Sequence, residues 1–395
     1  GIGTYFEIKN SEYLNIVLES EKEISVILES IPKVISITIA SSSDAKLTTL
    51  TLSGLKPNKT YYKYEDSYTN GKEIFSGNNG TFSWQQDLTQ SHYVWFQEGK
   101  GTILIPENCT SSIGIWDEEK RICTLQEDVT TSVEIATSSI TLDCAGHKIS
   151  GSNKEAGVLI FKKSEVTIKD CKISNFGWGI NVIESEKIKL FDNELFQNSS
   201  ALGIISSSFL EIVQNKIYSN TYGGLEISKG HDNKILKNII QKNLTGLHLE
   251  GSWNNYLRDN SILENVYNFH VWSSWWEGPP AIEDIDTSNT VNGKPIYYLV
   301  NEKDKIIDAS LNPGFIGVVS STNIVIKDIE ISSNGSGVYF ENVTNSKIKN
   351  VKVENNLFGI SLVNSSQNEI ENSIIEKNQA GIFFEGSSSQ NKIFG

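Results

Sequence analysis

Gly179-Ile-Asn-Val182, Gly203-Ile-Ile-Ser206, Gly224-Leu-Glu-Ile227 and Gly246-Leu-His-Leu249 repeat one four-residue phrase along the middle of the chain. The phrase starts at Gly157-Val-Leu-Ile160 and returns at Gly337-Val-Tyr-Phe340, Gly359-Ile-Ser-Leu362 and Gly381-Ile-Phe-Phe384. Successive glycines are 22, 24, 21 and 22 residues apart from Gly157 to Gly246, then 22 and 22 from Gly337 to Gly381. A fixed period of this length marks a solenoid. Apolar residues alternate with a period of two, which makes each phrase a strand with one buried face. An Asn precedes most of the glycines, at Asn198, Asn220, Asn243, Asn265, Asn356 and Asn378. Stacked rungs turn these Asn residues into columns that hydrogen-bond along the axis, while Ile and Leu fill the interior. The expected fold is all-β, a parallel β-helix of about 22 residues per coil over 140–395.

The rhythm breaks between about 266 and 315, where His270-Val-Trp-Ser-Ser-Trp-Trp-Glu-Gly-Pro-Pro280 interrupts the coils. Long insertions into a solenoid map to one face and often carry function. The chain stops in mid-repeat at Ser387-Ser-Ser-Gln-Asn-Lys-Ile-Phe-Gly395. An uncapped coil is expected to be a fragment's edge, to precede a disordered remainder, or to meet another subunit head to tail and so build a filament.

Upstream of the repeats the pattern changes. Residues 1–10 are an apolar lead. From 11 to 84 separate alternating segments, among them Leu14–Leu18, Ile24–Leu28 and Val34–Ile39, are split by polar turns. Residues 85–139 read as a connector and the approach to the helix. The 395 residues carry a net charge of −14. No basic patch is available for phosphates, so nucleic acid is excluded as a partner. No apolar run is long enough to insert in a membrane. The sequence has no Met and no leader, which reads as a processed or trimmed chain.

Four cysteines fit an oxidising compartment. Cys109 and Cys123 bracket a short loop and are expected to form a disulfide; Cys144 and Cys171, 27 apart, either face each other on adjacent coils or remain free thiols. Sequons point to a secreted glycoprotein, with Asn58, Asn79, Asn108, Asn334, Asn342 and Asn364 as acceptors. Asn198 and Asn243 also begin sequons, but an inward ladder Asn has no room for a glycan.

Two resemblances follow. Leu50-Thr-Leu-Ser-Gly-Leu-Lys-Pro-Asn-Lys-Thr-Tyr-Tyr-Lys-Tyr64 resembles the fibronectin type III module. That implies a small β-sandwich over 11–84, with Tyr61 or Tyr62 bonding back to the backbone. Thr141-Leu-Asp-Cys-Ala-Gly-His-Lys-Ile-Ser-Gly151, Asn323-Ile-Val-Ile-Lys-Asp-Ile329 and Ser366-Gln-Asn-Glu-Ile-Glu-Asn372 resemble the NosD-like right-handed parallel β-helix proteins with CASH-type repeats. This likeness spans about 140–395. It implies the fold, and a function drawn from surface proteins, polysaccharide lyases and epimerases, or a periplasmic copper-maturation factor. Together with the sequons and a Lys-rich, Arg-poor balance, it suggests an archaeal source.

Aligning the rungs on their glycines puts Asn181, Ile205, Glu226, His248 and His270 in one outward column, about 4.8 Å per rung. Glu226, His248 and His270 are the candidate acid/base residues, and Trp272, Trp275 and Trp276 a candidate platform for a sugar ring. The alternative is a solvated face with stacked imidazoles, and tryptophans packed on the coil wall. Arg258 has no carboxylate pair in register, and no column supplies the two facing carboxylates of a glycosidase. Two His and one Glu are too few to specify a metal site, and there is no Walker or dinucleotide loop; neither metal nor cofactor is expected. The sequence therefore leans away from an enzyme. It reads as a secreted or cell-surface structural or adhesive glycoprotein that self-associates or binds glycans. A carbohydrate-active enzyme and a metal-handling accessory protein are the alternatives.

Overall fold

The computed structural model describes every residue except 12, 32–33, 99–100, 110–112, 152–154 and 274–278, and describes the backbone alone at 31 and 67–71. Two compact units divide the chain, Gly1–Ile103 and Leu104–Gly395.

The first unit is one antiparallel sheet. Its strand order is Ser67–Phe75, Thr60–Glu65, His92–Gln97, Val34–Ser41, Ile16–Ile31, Leu47–Ser53 and Thr81–Asp87, and Ile2–Ile8 pairs beside Ile16–Ile31. The unit is therefore wider than 11–84. The apolar lead is a strand, and His92–Gln97 lies inside the sheet because alternate residues Val94 and Phe96 are needed in its core. Tyr61 is fully buried and its hydroxyl accepts the Lys56 backbone N–H at 3.1 Å. That hydrogen bond ties the tyrosine back to the backbone as the fibronectin-type resemblance implies, and the strands around it form one continuous, nearly closed antiparallel sheet.

The second unit is the β-helix. Strands of six residues form one wall, with Val158, Ile180, Leu202, Leu225, Leu247 and Phe269 stacked in register and buried. Three-residue strands form the other two walls, as in Ile168, Leu190, Ile212, Ile235 and Leu257. Single left-handed residues turn the corners, and they too recur by rung, at Lys187, Phe209, Asp232 and Asn254. The first coils precede residue 140, since Ser132–Ile135 already pairs with Ala156–Phe161. Both disulfides are present, Cys109–Cys123 within the early loop and Cys144–Cys171 between coils.

Buried asparagines tie the coils together. Asn193, Asn215, Asn238 and Asn260 form one ladder, and Asn198, Asn220, Asn243 and Asn265 another. In each, one Oδ1 accepts both the backbone and the side-chain N–H of the Asn one rung earlier, for example 2.9 and 3.0 Å from Asn215 to Asn238. One rung departs from the sequence alignment. Ala201, not Gly203, holds the ladder-glycine position, and Gly203 faces outward between Asn181 and Glu226. Ile205 is thus displaced from the Glu226 column.

At the interruption the coils change course. The six-residue wall ends at Tyr267–Trp272. A three-residue wall instead carries on through Thr290–Val291, reverses at Lys294–Val300, and resumes as Phe315–Val319, Ser336–Glu341, Phe358–Val363 and Ala380–Glu385. The exposed end of Tyr267–Trp272 is covered by the turn before Ser336. Phe269 N–H donates to Asn334 Oδ1 at 3.3 Å, and Gly335 N–H donates to the Phe269 carbonyl at 2.9 Å.

Candidate functional site

The outer face of the six-residue wall, where it meets the second stack of coils, brings the sequence-derived candidates together. Glu226, His248 and His270 are directly in register on successive strands. The two imidazoles stack with centroids 4.5 Å apart and planes inclined by 12°. Their Nε2 atoms are buried and have no hydrogen-bond partner. Burial lowers the pKa of both, that of His270 well below the usual histidine range with a further contribution from His248, so both rings are neutral at pH 7. His270 lies beneath Gly335, where an added Cβ would sit 2.1 Å from its Cγ.

Glu226 does not join the pair. Its carboxylate folds the other way, into the space left by the missing side chain of Gly223, and accepts from Ser200 Oγ at 3.1 Å. Burial raises its pKa, against the Ser200 hydrogen bond that lowers it.

Trp272 is not an open platform. It is 5% exposed, stacked on Phe358 at 5.1 Å and in contact with Phe383, Tyr339 and His270. The shifted second stack puts these aromatic rings over it, so packing on the coil wall is the reading that holds. Trp275 and Trp276 fall outside the described residues. Asn334 cannot serve as a glycan acceptor in the folded chain: it is fully buried and its amide donates to the Gly314 and Ser332 carbonyls. Asn58, Asn79 and Asn364 are exposed; Asn108 and Asn342 are half-buried. Arg258 is engaged by two carboxylates from the insertion, Asp284 at 2.6 Å and Asp286 at 3.0 Å, and lies over the Tyr256 ring.

Two buried groupings escaped the sequence reading. In the second unit, Glu283 ends the Asn233–Asn255 ladder: Oε2 accepts the Asn255 backbone N–H at 2.6 Å, and Oε1 accepts from Ser252 and the Asn255 side chain. Burial pushes Glu283 up to about 7. Nearby, Glu341 accepts from the Ala281 backbone and Tyr339, and burial raises its pKa too. The insertion's irregular spacing hides both groups, although a carboxylate in an Asn column is the signal to look for. In the first unit, His92 donates between carboxylates, with Nδ1 2.6 Å from Asp66 and 3.3 Å from Glu65, and Nε2 3.3 Å from Asp87. Ligand atoms of Glu65, Asp66 and His92 all lie within 4.8 Å of one another, the one such trio among the described residues. Glu65 ends the strand Thr60–Glu65 and Asp66 follows it, but His92 opens a strand 26 residues further on, so no local motif announces the trio. With both ring nitrogens engaged by carboxylates, the grouping has the pattern of an imidazolium held by ion pairs.

Among solved structures, the chain resembles the catalytic domain of an α-1,3-glucanase in complex with tetrasaccharides, with 11% identity, a TM-score of 0.35, and 100% of this chain and 96% of that one covered. It also resembles an alginate lyase from Paenibacillus sp. (12%, TM-score 0.38, 74% and 100% covered) and a mutant of the periplasmic alginate epimerase AlgG (13%, TM-score 0.34, 74% and 82% covered). No curated protein matches the sequence. Residues 287–395 match the right-handed β-helix region, and residues 97–296 the family described as periplasmic copper-binding protein (NosD). That second match spans just over half the sequence, and the chain belongs to the NosD family of right-handed β-helix proteins.

Proposed function

We propose that this protein is an extracytoplasmic structural or adhesive glycoprotein, secreted or held at the cell surface, whose β-helix binds glycans without turning them over. The observation that carries this reading is the divided outer column. Glu226 is folded onto Ser200 and Gly223, away from the histidines, while His270 is sealed beneath Gly335. An acid and a base that point apart cannot act on one bond. Two disulfides suit an oxidising compartment, and the exposed sequons suit a glycoprotein. No helix among the described residues is long and apolar enough to cross a membrane. Self-association is the second half of the proposal. It is supported by the edge strand Ile2–Ile8, which leaves Ile2 and Tyr5 exposed.

The family's description concerns copper, and the donors here do not fit a soft copper ion. Copper(I) takes thiolate and thioether ligands. The chain has no Met, and all four cysteines are in disulfides. The His248 and His270 lone pairs lie in nearly parallel ring planes and do not converge on one point. The Glu65–Asp66–His92 trio lies outside the matched residues and offers mostly carboxylate oxygen.

A carbohydrate-active enzyme is the second reading, favoured by one observation: burial raises Glu226 and lowers His248 on adjacent rungs, which separates an acid from a base, and it requires Glu226 to swing off Ser200 toward the histidines when substrate binds. One experiment decides between them. The protein is incubated with insoluble β-glucan, α-1,3-glucan and alginate, and retention on the polymer and release of new chain ends are measured together. Retention on at least one glucan without new ends is expected. Release that disappears in His248→Ala and His270→Ala would establish the enzyme instead.

A further inference from the structure

We infer that the outer face of the six-residue wall carries a binding subsite for a neutral pyranose, built from Trp178, Asn181, Ser200 and Glu226. The inference rests on the glycan-binding reading above and assigns it a place.

Two glycines point to the subsite. Gly203 and Gly223 lie outside the ladder column, which runs through Gly157, Gly179, Ala201, Gly224 and Gly246. Neither has a positive φ, so backbone conformation does not require them. Each is instead a notch filled by a neighbouring side chain. A Cβ on Gly203 would stand 2.6 Å and 2.8 Å from two carbons of the Trp178 six-membered ring. A Cβ on Gly223 would collide with the Glu226 carboxylate. The wall thus lets an indole and a carboxyl lie along its surface, in notches one rung apart.

Polar groups between them are left unsatisfied. Asn181 Oδ1 is buried beside the Gly203 notch and has no hydrogen-bond partner. A buried acceptor without a donor is costly, and a ligand hydroxyl at the notch would satisfy it once the Asn181 amide turned outward. Ser200 is in register with Trp178 and holds one oxygen of Glu226, leaving the other oxygen without a partner among the described residues. The strip from Trp178 to Glu226 covers two rung steps, about 10 Å. A pyranose has the matching chemistry: an apolar C–H face for the indole and hydroxyls that both donate and accept. A uronate does not match, because Glu226 and the net charge of −14 repel it.

The test is calorimetric titration of the intact protein with cellohexaose, laminarihexaose, mannohexaose and hexagalacturonate. At least one neutral hexasaccharide is expected to bind, and hexagalacturonate to bind more weakly. Trp178→Ala should weaken binding by about tenfold or more, with Trp178→Phe recovering part of the loss. Asn181→Leu should weaken it as well. Unchanged affinity in Trp178→Ala, or in Asn181→Leu if the tryptophan variant does not fold, overturns the subsite while leaving glycan binding elsewhere intact. Failure of the wild-type protein to bind any of the four overturns both the subsite and the reading on which it rests.

Discussion

The imidazoles of His248 and His270 lie face to face at 4.5 Å with both Nε2 atoms buried and unpaired. Neutral rings tolerate this arrangement, but a proton on either one does not. Because burial holds the folded-state pKa below 6.5, the unfolded chain binds the proton first as pH falls. Stability contributed by this pair is present above about pH 6.5 and is lost as pH falls from there toward the folded pKa.

His270→Phe tests that linkage. Phenylalanine keeps the ring beneath Gly335 and removes both the titration and the orphaned nitrogen. Urea midpoints should fall less in the variant than in the wild-type protein between pH 7.5 and 5.5, and at pH 7.5 the variant should be no less stable. Other groups titrate in this range, so the quantity to follow is the difference between the two proteins. A difference that stays constant with pH sinks the argument.

His92 should show the opposite sign. Burial opposes its charge, but hydrogen bonds to Asp66 and Asp87 and the charges of Asp66 and Glu65 prevail, and its pKa is raised above 6.5. The stability it contributes is full below about pH 6.5 and is lost as pH rises through the folded pKa. In a proton NMR titration, the His92 ring signals should shift at higher pH than those of a histidine in an unstructured peptide. The stability advantage over His92→Gln should shrink toward alkaline pH.

The repeats were legible because one rung's requirements are every rung's requirements. Apolar positions with a period of two and Asn residues at one offset leave a parallel β-helix as the arrangement that buries both. The failures share a cause. Gly203 matched the repeat's glycine by letter, yet its role is to make room for Trp178, and Ala201 does the ladder's work. Trp272 looked exposed because it opens an insertion, but the insertion shifts the following coils sideways onto it. Asn334 read as a sequon because nothing local shows that its amide closes the end of the previous wall. Long-range displacement of this kind leaves no periodic trace.

Asn238 tests the ladder itself. Its Oδ1 accepts two N–H groups of Asn215, and its Nδ2 donates to the Ile212 carbonyl at 2.8 Å and to Asn260 at 3.0 Å. Asn238→Ala strands buried partners on three other residues and should cost about 3 kcal/mol or more in denaturant unfolding. Asn350, whose amide reaches Asp328 on the exposed face from a left-handed backbone (φ 51°), provides the comparison, and Asn350→Gly, which keeps that backbone conformation, should fall within about 0.5 kcal/mol of wild type. Equal effects would mean that the ladder contributes no more than the surface.

Glycan mapping tests the burial of the sequons. Mass spectrometry of protein from a glycosylating host should find Asn58, Asn79 and Asn364 modified, and Asn198, Asn243 and Asn334 bare in the folded fraction. The last three amides are enclosed by hydrogen bonds that a glycan would have to break. Occupancy at Asn334 in native protein is incompatible with the cap it forms on Phe269.

Glu283 carries the sharpest pH prediction because its shift is large and its role is defined. An asparagine would extend the Asn233–Asn255 ladder, and the carboxylate here must accept from Asn255 and Ser252 without water around it. Its folded pKa of about 7 lies above the ordinary 4.5, so the folded chain holds the proton more tightly than the unfolded one. Its contribution is most favourable below pH 4.5 and declines as pH rises through about 7. Taking about 1.4 kcal/mol per pKa unit, the decline amounts to roughly 3 kcal/mol by pH 8. Glu283→Gln preserves an oxygen for the Asn255 backbone N–H and abolishes the titration. Subtracting its unfolding free energy from the wild-type value at each pH should give a curve that falls between pH 5 and 8, with the variant at least as stable at pH 8. A flat curve would place the Glu283 carboxylate in contact with water and remove it as the buried end of the ladder.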